Sequence, residues 1–303
     1  MARTGSRTRE ARHRTLWGYI FIAPSILGLM LFFFGPMLFS LGVSFTRWDI
    51  ITPASFVGID NYTRFATDPL VQKSLAVTFY YVLLNVPAVV IVSLVIASLL
   101  NADIKGRSLY RTIFYIPSIV PAVANAALWM FLYNPMFGLF NWLIGLIGIP
   151  PQGWVYQDTQ VIPSLVLMSV WASGNVVVIY LAGLQGISRQ MYEAVEIDGG
   201  GVFRKFFHIT VPMMTPLIFY NGILTIIYSL QTFTQAFIMT EGGPKNASLF
   251  YMLLLYRTAF RNQQMGYASA MAWVMLVIIG ILTAIAFRSS RSWVYYGGGS
   301  RDE

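Results

Sequence analysis

Two short stretches gather hydrogen-bonding side chains inside an otherwise apolar chain, VWASGN (Val170 to Asn175) and TIIYSLQTFTQ (Thr225 to Gln235). Between them they hold Ser173, Asn175, Thr225, Tyr228, Ser229, Thr232 and Gln235, with Trp171 alongside. Hydroxyls, carboxamides and aromatic faces bind uncharged polar groups through directed hydrogen bonds and ring contact. The same side chains also tie apolar helices to one another, so each residue alone has an architectural reading. As a set they point to a polar pathway. Thr225, Tyr228, Ser229 and Thr232 recur at three- and four-residue steps, which puts them on one helix face, and so many polar groups turned toward lipid would be costly. Tyr80, Tyr81, Asn85, Asn125 and Trp129 are weaker candidates, because Trp and Tyr near the ends of apolar segments usually mark the membrane interface.

Other chemistry is excluded early. The sequence has no cysteine, and its two histidines, His13 and His208, lie far apart, which removes disulfides, thiolate metal sites and a histidine-centred catalytic group. Asp103, Glu193 and Asp198 fall at the ends of apolar stretches rather than inside them. A carrier driven by protons or sodium ordinarily keeps ionisable groups within its spans. No GxxxxGK[ST] loop is present to cradle a nucleotide phosphate, so the run Gly199-Gly200-Gly201 is not a nucleotide loop.

The elements that must position these residues follow from composition. Of 303 residues 56% are hydrophobic and 11% charged, against about a quarter charged in soluble domains; mean hydropathy is +0.63. Lipid has to cover what the few polar residues cannot. Stretches free of Asp, Glu, Lys and Arg run from Thr15 to Thr46, Ser74 to Ala102, Thr112 to Gln157, Thr159 to Ser188, Phe206 to Thr240 and Asn262 to Phe287. Each holds the ~20 apolar residues of a membrane-crossing helix. The third exceeds one span; Asn134-Pro135 breaks it after a helix through Tyr133, and Gly138 to Pro151 reads as a short helix lying in the interface. Pro24, Pro36, Pro87, Pro117 and Pro121 are expected to kink spans. The first run shows no small-residue cleavage site and reads as an anchor.

The expected organisation is therefore a basic tail (1–15), a six-span domain (16–287) and a C-terminal tail (288–303), all-α throughout. Five arginines, Arg3, Arg7, Arg9, Arg12 and Arg14, crowd the N-terminal tail. With that end in the cytoplasm, fourteen of the twenty basic residues fall on the inside, as the positive-inside rule requires, and the net charge of +8 reads as membrane orientation toward anionic lipid rather than nucleic-acid binding. The ending GGGSRDE reads as a flexible tail, natural or appended.

Three of the twelve acids sit beside the triple glycine in EAVEIDGGGVFRKFFHITVP, Glu193 to Pro212, on the cytoplasmic side. Ser188 is placed to cap a short helix with Met191, Ala194, Val195 and Ile197 on its apolar side, ended by Asp198 and the glycines. Phe203, Phe206, Phe207 and Ile209 give a second helix before Pro212. A hairpin with small residues at its tip is expected in the loop 188–212, a shape a groove on another protein can grip.

At these residues the sequence closely resembles the permease subunits of binding-protein-dependent ATP-binding cassette importers, whose cytoplasmic loop carries Glu-Ala-Ala, Asp-Gly-Ala and then Phe, Ile and Pro at fixed spacing. Glu193, Ala194, Asp198, Gly199, Phe206, Ile209 and Pro212 match; Val195 and Gly200 replace two alanines. FVGIDNYTRF (Phe56 to Phe65), EGGPKNAS (Glu241 to Ser248) and MGYASAMAW (Met265 to Trp273) extend the resemblance over nearly the whole chain and toward the carbohydrate-uptake branch, similar to the larger permease subunit of maltose transporters. The resemblance implies a type I importer permease fold of six transmembrane helices, with Glu193, Ala194, Asp198, Gly199, Gly200 and Gly201 forming an ATPase-coupling loop between spans four and five. It implies a sugar pathway through Trp171, Ser173, Asn175, Thr225, Tyr228, Ser229, Thr232 and Gln235. Implied partners are a second related permease, two ATPase subunits carrying ATP and Mg, a sugar-binding protein and membrane lipid, in a bacterial or archaeal cell membrane with both termini cytoplasmic. No cofactor is expected on this chain. A secondary carrier or facilitator acting alone, and a membrane-embedded enzyme, are the alternative classes; the charge-free spans and the lack of an assembled catalytic group oppose them.

Overall fold

A computed structural model describes residues 4–295 other than 104. Arg3 and the C-terminal segment from 296, including the glycine-serine stretch and Arg301, lie outside the described residues. Helix α1 (Thr4–Leu29) begins within the basic stretch expected as a tail, passes through a π turn at Met30–Phe34 and continues as α2 (Gly35–Ser44). Two short antiparallel strands, β1 (Thr46–Arg47) and β2 (Ser55–Phe56), pair Thr46 with Phe56. Then come α3 (Asp60–Thr67), α4 (Pro69–Asn101), α5 (Arg107–Ile119), α6 (Ala122–Leu132), α7 (Leu139–Gly145), α8 (Val161–Trp171) and α9 (Gly174–Gln185). The chain closes with α10 (Arg189–Ile197), α11 (Val202–Lys205), α12 (Val211–Leu230), α13 (Tyr251–Tyr256) and α14 (Met265–Trp293).

Helices dominate because a backbone in lipid must satisfy its own N–H and C=O groups. Among the described residues four continuous helical runs are long and apolar enough to cross a membrane, 13–44, 69–101, 202–230 and 265–293, and two bent pairs bring the number to six if each pair is one span. Outward faces stay apolar, with Phe32, Phe39, Leu83 and Ile285 among the exposed side chains.

The bent pairs refine the expected spans. The third is not one helix through Tyr133: α5 and α6 meet at 103°. Val120 is extended there (φ −65°, ψ 127°) and Pro121 precedes the first turn of α6, because the residue before proline is pushed out of the helical region. The expected break at Asn134 is present; its side-chain oxygen accepts from the Met136 and Phe137 N–H groups at 2.9 and 3.3 Å, and the short α7 follows. The fourth span bends by 49° between α8 and α9. Pro87 does not break α4, which runs unbroken for 33 residues.

The chain divides into two compact units, residues 1–65 with 258–274 and residues 66–257 with 275–303. In the first, the Asn61 amide donates to the carbonyls of Ser44 (2.8 Å) and Thr46 (2.9 Å). The Met265 N–H bonds the Trp48 carbonyl at 2.9 Å, and the Arg64 guanidinium sits 4.0 Å over the Tyr267 ring. Two motifs far apart in sequence, FVGIDNYTRF and MGYASAMAW, thus meet in one small assembly.

The second unit is built on α4, α9 and α12. Val89, Leu94, Ala97 and Leu100 of α4 pack with Val177, Tyr180, Leu181 and Leu184 of α9 and Met214 of α12 in one buried cluster. α9 also lies against α5, close enough that a Cβ on Gly174 would stand 2.1 Å from the Phe114 carbonyl oxygen; only glycine permits that approach.

Candidate functional site

Within the second unit a cavity of about 210 Å³ opens between α4, α6, α8, α9 and α12. Ser173, Asn175, Thr225, Tyr228, Ser229, Thr232 and Gln235 all line it. The 49° bend between α8 and α9 falls at Ala172-Ser173, which turns the polar end of VWASGN toward the opposing face of α12. The regular spacing of Thr225, Tyr228 and Ser229 supplies that face, and α12 ends at Leu230, so Thr232 reaches the wall from irregular backbone and Gln235 from the helical residues that lead into the π turn at Ala236–Thr240. Trp171 does not line the cavity. It is partly exposed and stands edge-on to Trp129, ring centres 5.7 Å apart.

Three residues ranked lower from sequence join the wall, Tyr81 and Asn85 from α4 and Asn125 from α6. Ser169, Leu165, Met168, Ala172, Val89 and Val176 complete it. The signal that singles out Asn85 and Asn125 is a carboxamide in an apolar run, since an amide is rarely buried without a partner to meet it. Tyr80 faces outward and Trp129 is buried in an aromatic cluster with Tyr133 and Phe140. No lining residue carries a charge.

The wall also does the architectural work that these residue types do elsewhere. Asn85 Nδ2 donates to Ser229 Oγ at 2.9 Å, joining α4 to α12, and Ser93 and Ser173 share a 3.0 Å hydrogen bond between α4 and the head of α9. Thr225 instead bonds the Asn221 carbonyl on its own helix, at 2.7 Å. Asn85 Oδ1 and Asn125 Oδ1 are buried with no hydrogen-bond partner.

The loop expected from sequence is a short helix, α10, followed by a long one. α10 ends in a double hydrogen bond: Gly199 N–H to the Glu196 carbonyl (2.9 Å) and Gly200 N–H to the Val195 carbonyl (2.7 Å). Gly199 takes φ +76°, the left-handed conformation such a cap needs. Ser188 occupies the N-cap position without a side-chain capping bond. The second arm is not a separate helix. α11 passes through a π turn at Phe206–Thr210 directly into α12, the wide turn absorbing Pro212, which has no N–H to give and whose ring crowds the preceding turn. Phe203, Phe206, Phe207 and Ile209 therefore form no common stripe: Phe206 packs against the buried cluster, whereas Phe203 and Phe207 are exposed.

On α10, Met191, Tyr192 and Val195 turn inward; Glu193, Ala194, Ile197 and Asp198 face out. The Tyr192 hydroxyl meets Thr210 Oγ1 at 3.1 Å and Lys205 pairs with Glu196, so the two arms are pinned to each other. Val195 and Gly200, the two departures from the alanine pattern, touch: a Cβ on Gly200 would lie 2.4 Å from Val195 Cγ1. The larger side chain at one position occupies the room left by the smaller at the other. Ile197, Val202 and Phe203 present an apolar tip, each at least 80% exposed.

Among the described residues no group of three or more His, Asp or Glu side chains is gathered closely enough to hold a metal ion. The family model for the inner membrane component of binding-protein-dependent transport systems matches residues 90–293. The chain belongs to this family. Similar proteins include the probable ABC transporter permease protein YesP of Bacillus subtilis, 43% identical over 295 residues, covering 96% of this chain and 95% of that one. The trehalose/maltose transport system permease protein MalF of Thermococcus litoralis is 30% identical over 276 residues, with 90% and 93% covered. Among solved structures, a bacterial alginate ABC transporter in complex with an alginate pentasaccharide-bound periplasmic protein superposes with a TM-score of 0.78 at 18% identity, covering 93% of this chain and 96% of that one. The family match takes in the cavity wall from α6 to α12 and the whole of the loop 188–212. As a member, the chain is a membrane-spanning transport component, with the fold expected from its sequence.

Proposed function

We propose that this chain is the permease subunit of an ATP-driven carbohydrate importer, supplying half of the sugar pathway and the loop through which an ATPase drives it. The observation that carries this reading is continuity. The two helices that flank the cavity, α9 and α12, run out to the two arms of the loop: three residues separate α9 from α10, and α12 continues α11 through one π turn. A displacement of the hairpin tip is thereby delivered to the helices that hold Asn175, Thr225 and Ser229. Glu193, Ala194, Asp198 and the Gly199–Gly201 turn seat in the ATPase; Ser173, Asn175, Thr225, Tyr228, Ser229, Thr232 and Gln235 contact the sugar, and Trp171 supports the wall through Trp129.

ATP binding on the partner closes the ATPase pair and turns the cavity outward, and hydrolysis resets it. The assembly contains a second related permease, two ATPase subunits that hold ATP and Mg, and a sugar-binding protein outside, in a bacterial or archaeal cell membrane with both termini cytoplasmic. Uncharged hydroxyls and amides in a charge-free wall suit a carbohydrate better than an ion. The relatives named for sugar transport and the neighbour carrying an oligosaccharide-loaded binding protein support the same assignment.

The test is purification of the chain from its native membrane in mild detergent, with identification of its companions and assay of ATP hydrolysis with and without the binding protein. A second permease, an ATPase and sugar-stimulated hydrolysis are expected. A chain that purifies alone and moves sugar without an ATPase would sink the proposal.

A further inference from the structure

Two buried amide oxygens in the cavity wall have nothing to bond. Asn85 is 3% and Asn125 6% exposed, and neither Oδ1 has a hydrogen-bond partner. Asn85 donates one of its two amide N–H groups to Ser229 Oγ, while its carbonyl oxygen has no partner at the wall. A buried acceptor without a partner is costly, and native structures rarely keep one unless something else arrives to meet it. What meets an acceptor oxygen is a donor, and a sugar hydroxyl is one.

The surroundings narrow the class further. All sixteen lining residues are uncharged. A carboxylate or phosphate brings only acceptor lone pairs, faces two more acceptors in Asn85 and Asn125, and finds no cation to offset its desolvation. Alginate, imported by the transporter whose permease shares this fold, is an acidic polysaccharide; the lining of the present cavity is wrong for such an anion.

We infer that Asn85 and Asn125 are specificity-determining residues that select uncharged, hydroxyl-bearing saccharides and reject uronates and sugar phosphates. The inference rests on the sugar-pathway reading above and adds which chemistry the pathway accepts and which two side chains decide it. Both lie on helices away from the face first expected from sequence, Asn85 on α4 and Asn125 on α6. Sites built to hydrogen-bond a hydroxyl discriminate strongly, because their own polar groups are stranded when the wrong ligand enters.

The absence of native cysteine makes the test clean. Ala172, small and on the cavity wall, is changed to Cys as the sole thiol, and the full chain is purified with the subunits that accompany it. Labelling by a small neutral maleimide is followed with neutral disaccharides (maltose, lactose, arabinobiose) or with digalacturonate and glycerol 3-phosphate at matched millimolar concentrations. At least one neutral sugar slows labelling and neither anion does. Asn85→Leu and Asn125→Leu each raise the half-protecting concentration of that sugar about tenfold, the effect of losing one buried hydrogen bond. Asn125→Lys makes digalacturonate protective, a gain that misfolding cannot produce. Protection by an anion equal to that by every neutral sugar overturns the inference while leaving the sugar pathway standing, as does unchanged protection in both leucine variants. Protection by none of the five compounds overturns the pathway assignment and the inference with it.

Discussion

Gly200→Ala is the substitution whose cost the geometry fixes most closely. The added Cβ would lie 2.4 Å from Val195 Cγ1, 2.8 Å from the Val195 carbonyl oxygen and 3.1 Å from Arg204 Cδ. Carbon atoms in contact sit ~3.5–4.0 Å apart, so the overlap with Val195 exceeds an ångström and the end of α10 has to open. Overpacking of this kind costs about 1–3 kcal/mol, which at the middle of that range raises the open population of the hairpin about thirtyfold. Trimming Val195 to Ala removes the closest of the three contacts and leaves the carbonyl contact, which a small backbone shift relieves. The double variant Val195→Ala/Gly200→Ala therefore recovers most of the loss, with a coupling of about 1 kcal/mol between the two positions. Hydrogen exchange of the Gly199 and Gly200 amides, both bonded in the cap, reads this directly. Unchanged exchange in Gly200→Ala, or a double variant that exchanges as fast as the single one, would refute the argument that these two residues are fitted to each other.

Other outcomes follow from the same geometry. Glu193→Lys, on the outward face of α10, is expected to abolish uptake while hydrolysis runs uncoupled and the membrane helices stay folded, as checked by transport, ATPase and circular dichroism on one preparation. Gly174→Ala forces a Cβ to 2.1 Å from the Phe114 carbonyl; the loss of about 1–3 kcal/mol shows as a lowered melting temperature in detergent, and an unchanged melting curve would mean that α5 and α9 do not meet there. Asn61→Ala strips donors from the Ser44 and Thr46 carbonyls at about 1–3 kcal/mol, read as faster proteolysis between β1 and α3; wild-type proteolysis rates would count against the bridging role.

How much was legible in the sequence differs by kind of feature. Span positions were readable because charge is expelled from lipid, and the runs bounded by Lys73, Asp103, Lys205 and Arg288 mark helices to within a few residues. The bend at Val120-Pro121 was readable only as one of five expected kinks, since Pro87 was expected to kink its span equally and leaves α4 unbroken; the apolar setting of a proline alone does not rank them. The same limit applies to the loop. Its cap was readable from Gly199, whereas fusion of α11 to α12 depends on a π turn that has no composition of its own. In the cavity, spacing along one helix placed Thr225, Tyr228 and Ser229 together, but the contribution of Asn85 depends on how α4 is rotated against α12, and Trp171 turns away because α8 ends beside it.

Helix α4 rises about 50 Å over its 33 residues, against a hydrocarbon layer of ~30 Å. Much of its length therefore stands in water or headgroups at the two membrane surfaces, with the Asp68 side chain capping one end and the Arg107 side chain bonding the carbonyls of Leu100 and Asn101 at the other. Asn85 lies near its middle. A helix that runs unbroken past both sides of the cavity and touches it halfway along links its two ends to the cavity wall, and bilayer thickness, by setting the tilt of so long a helix, is expected to bear on the position of Asn85 in that wall.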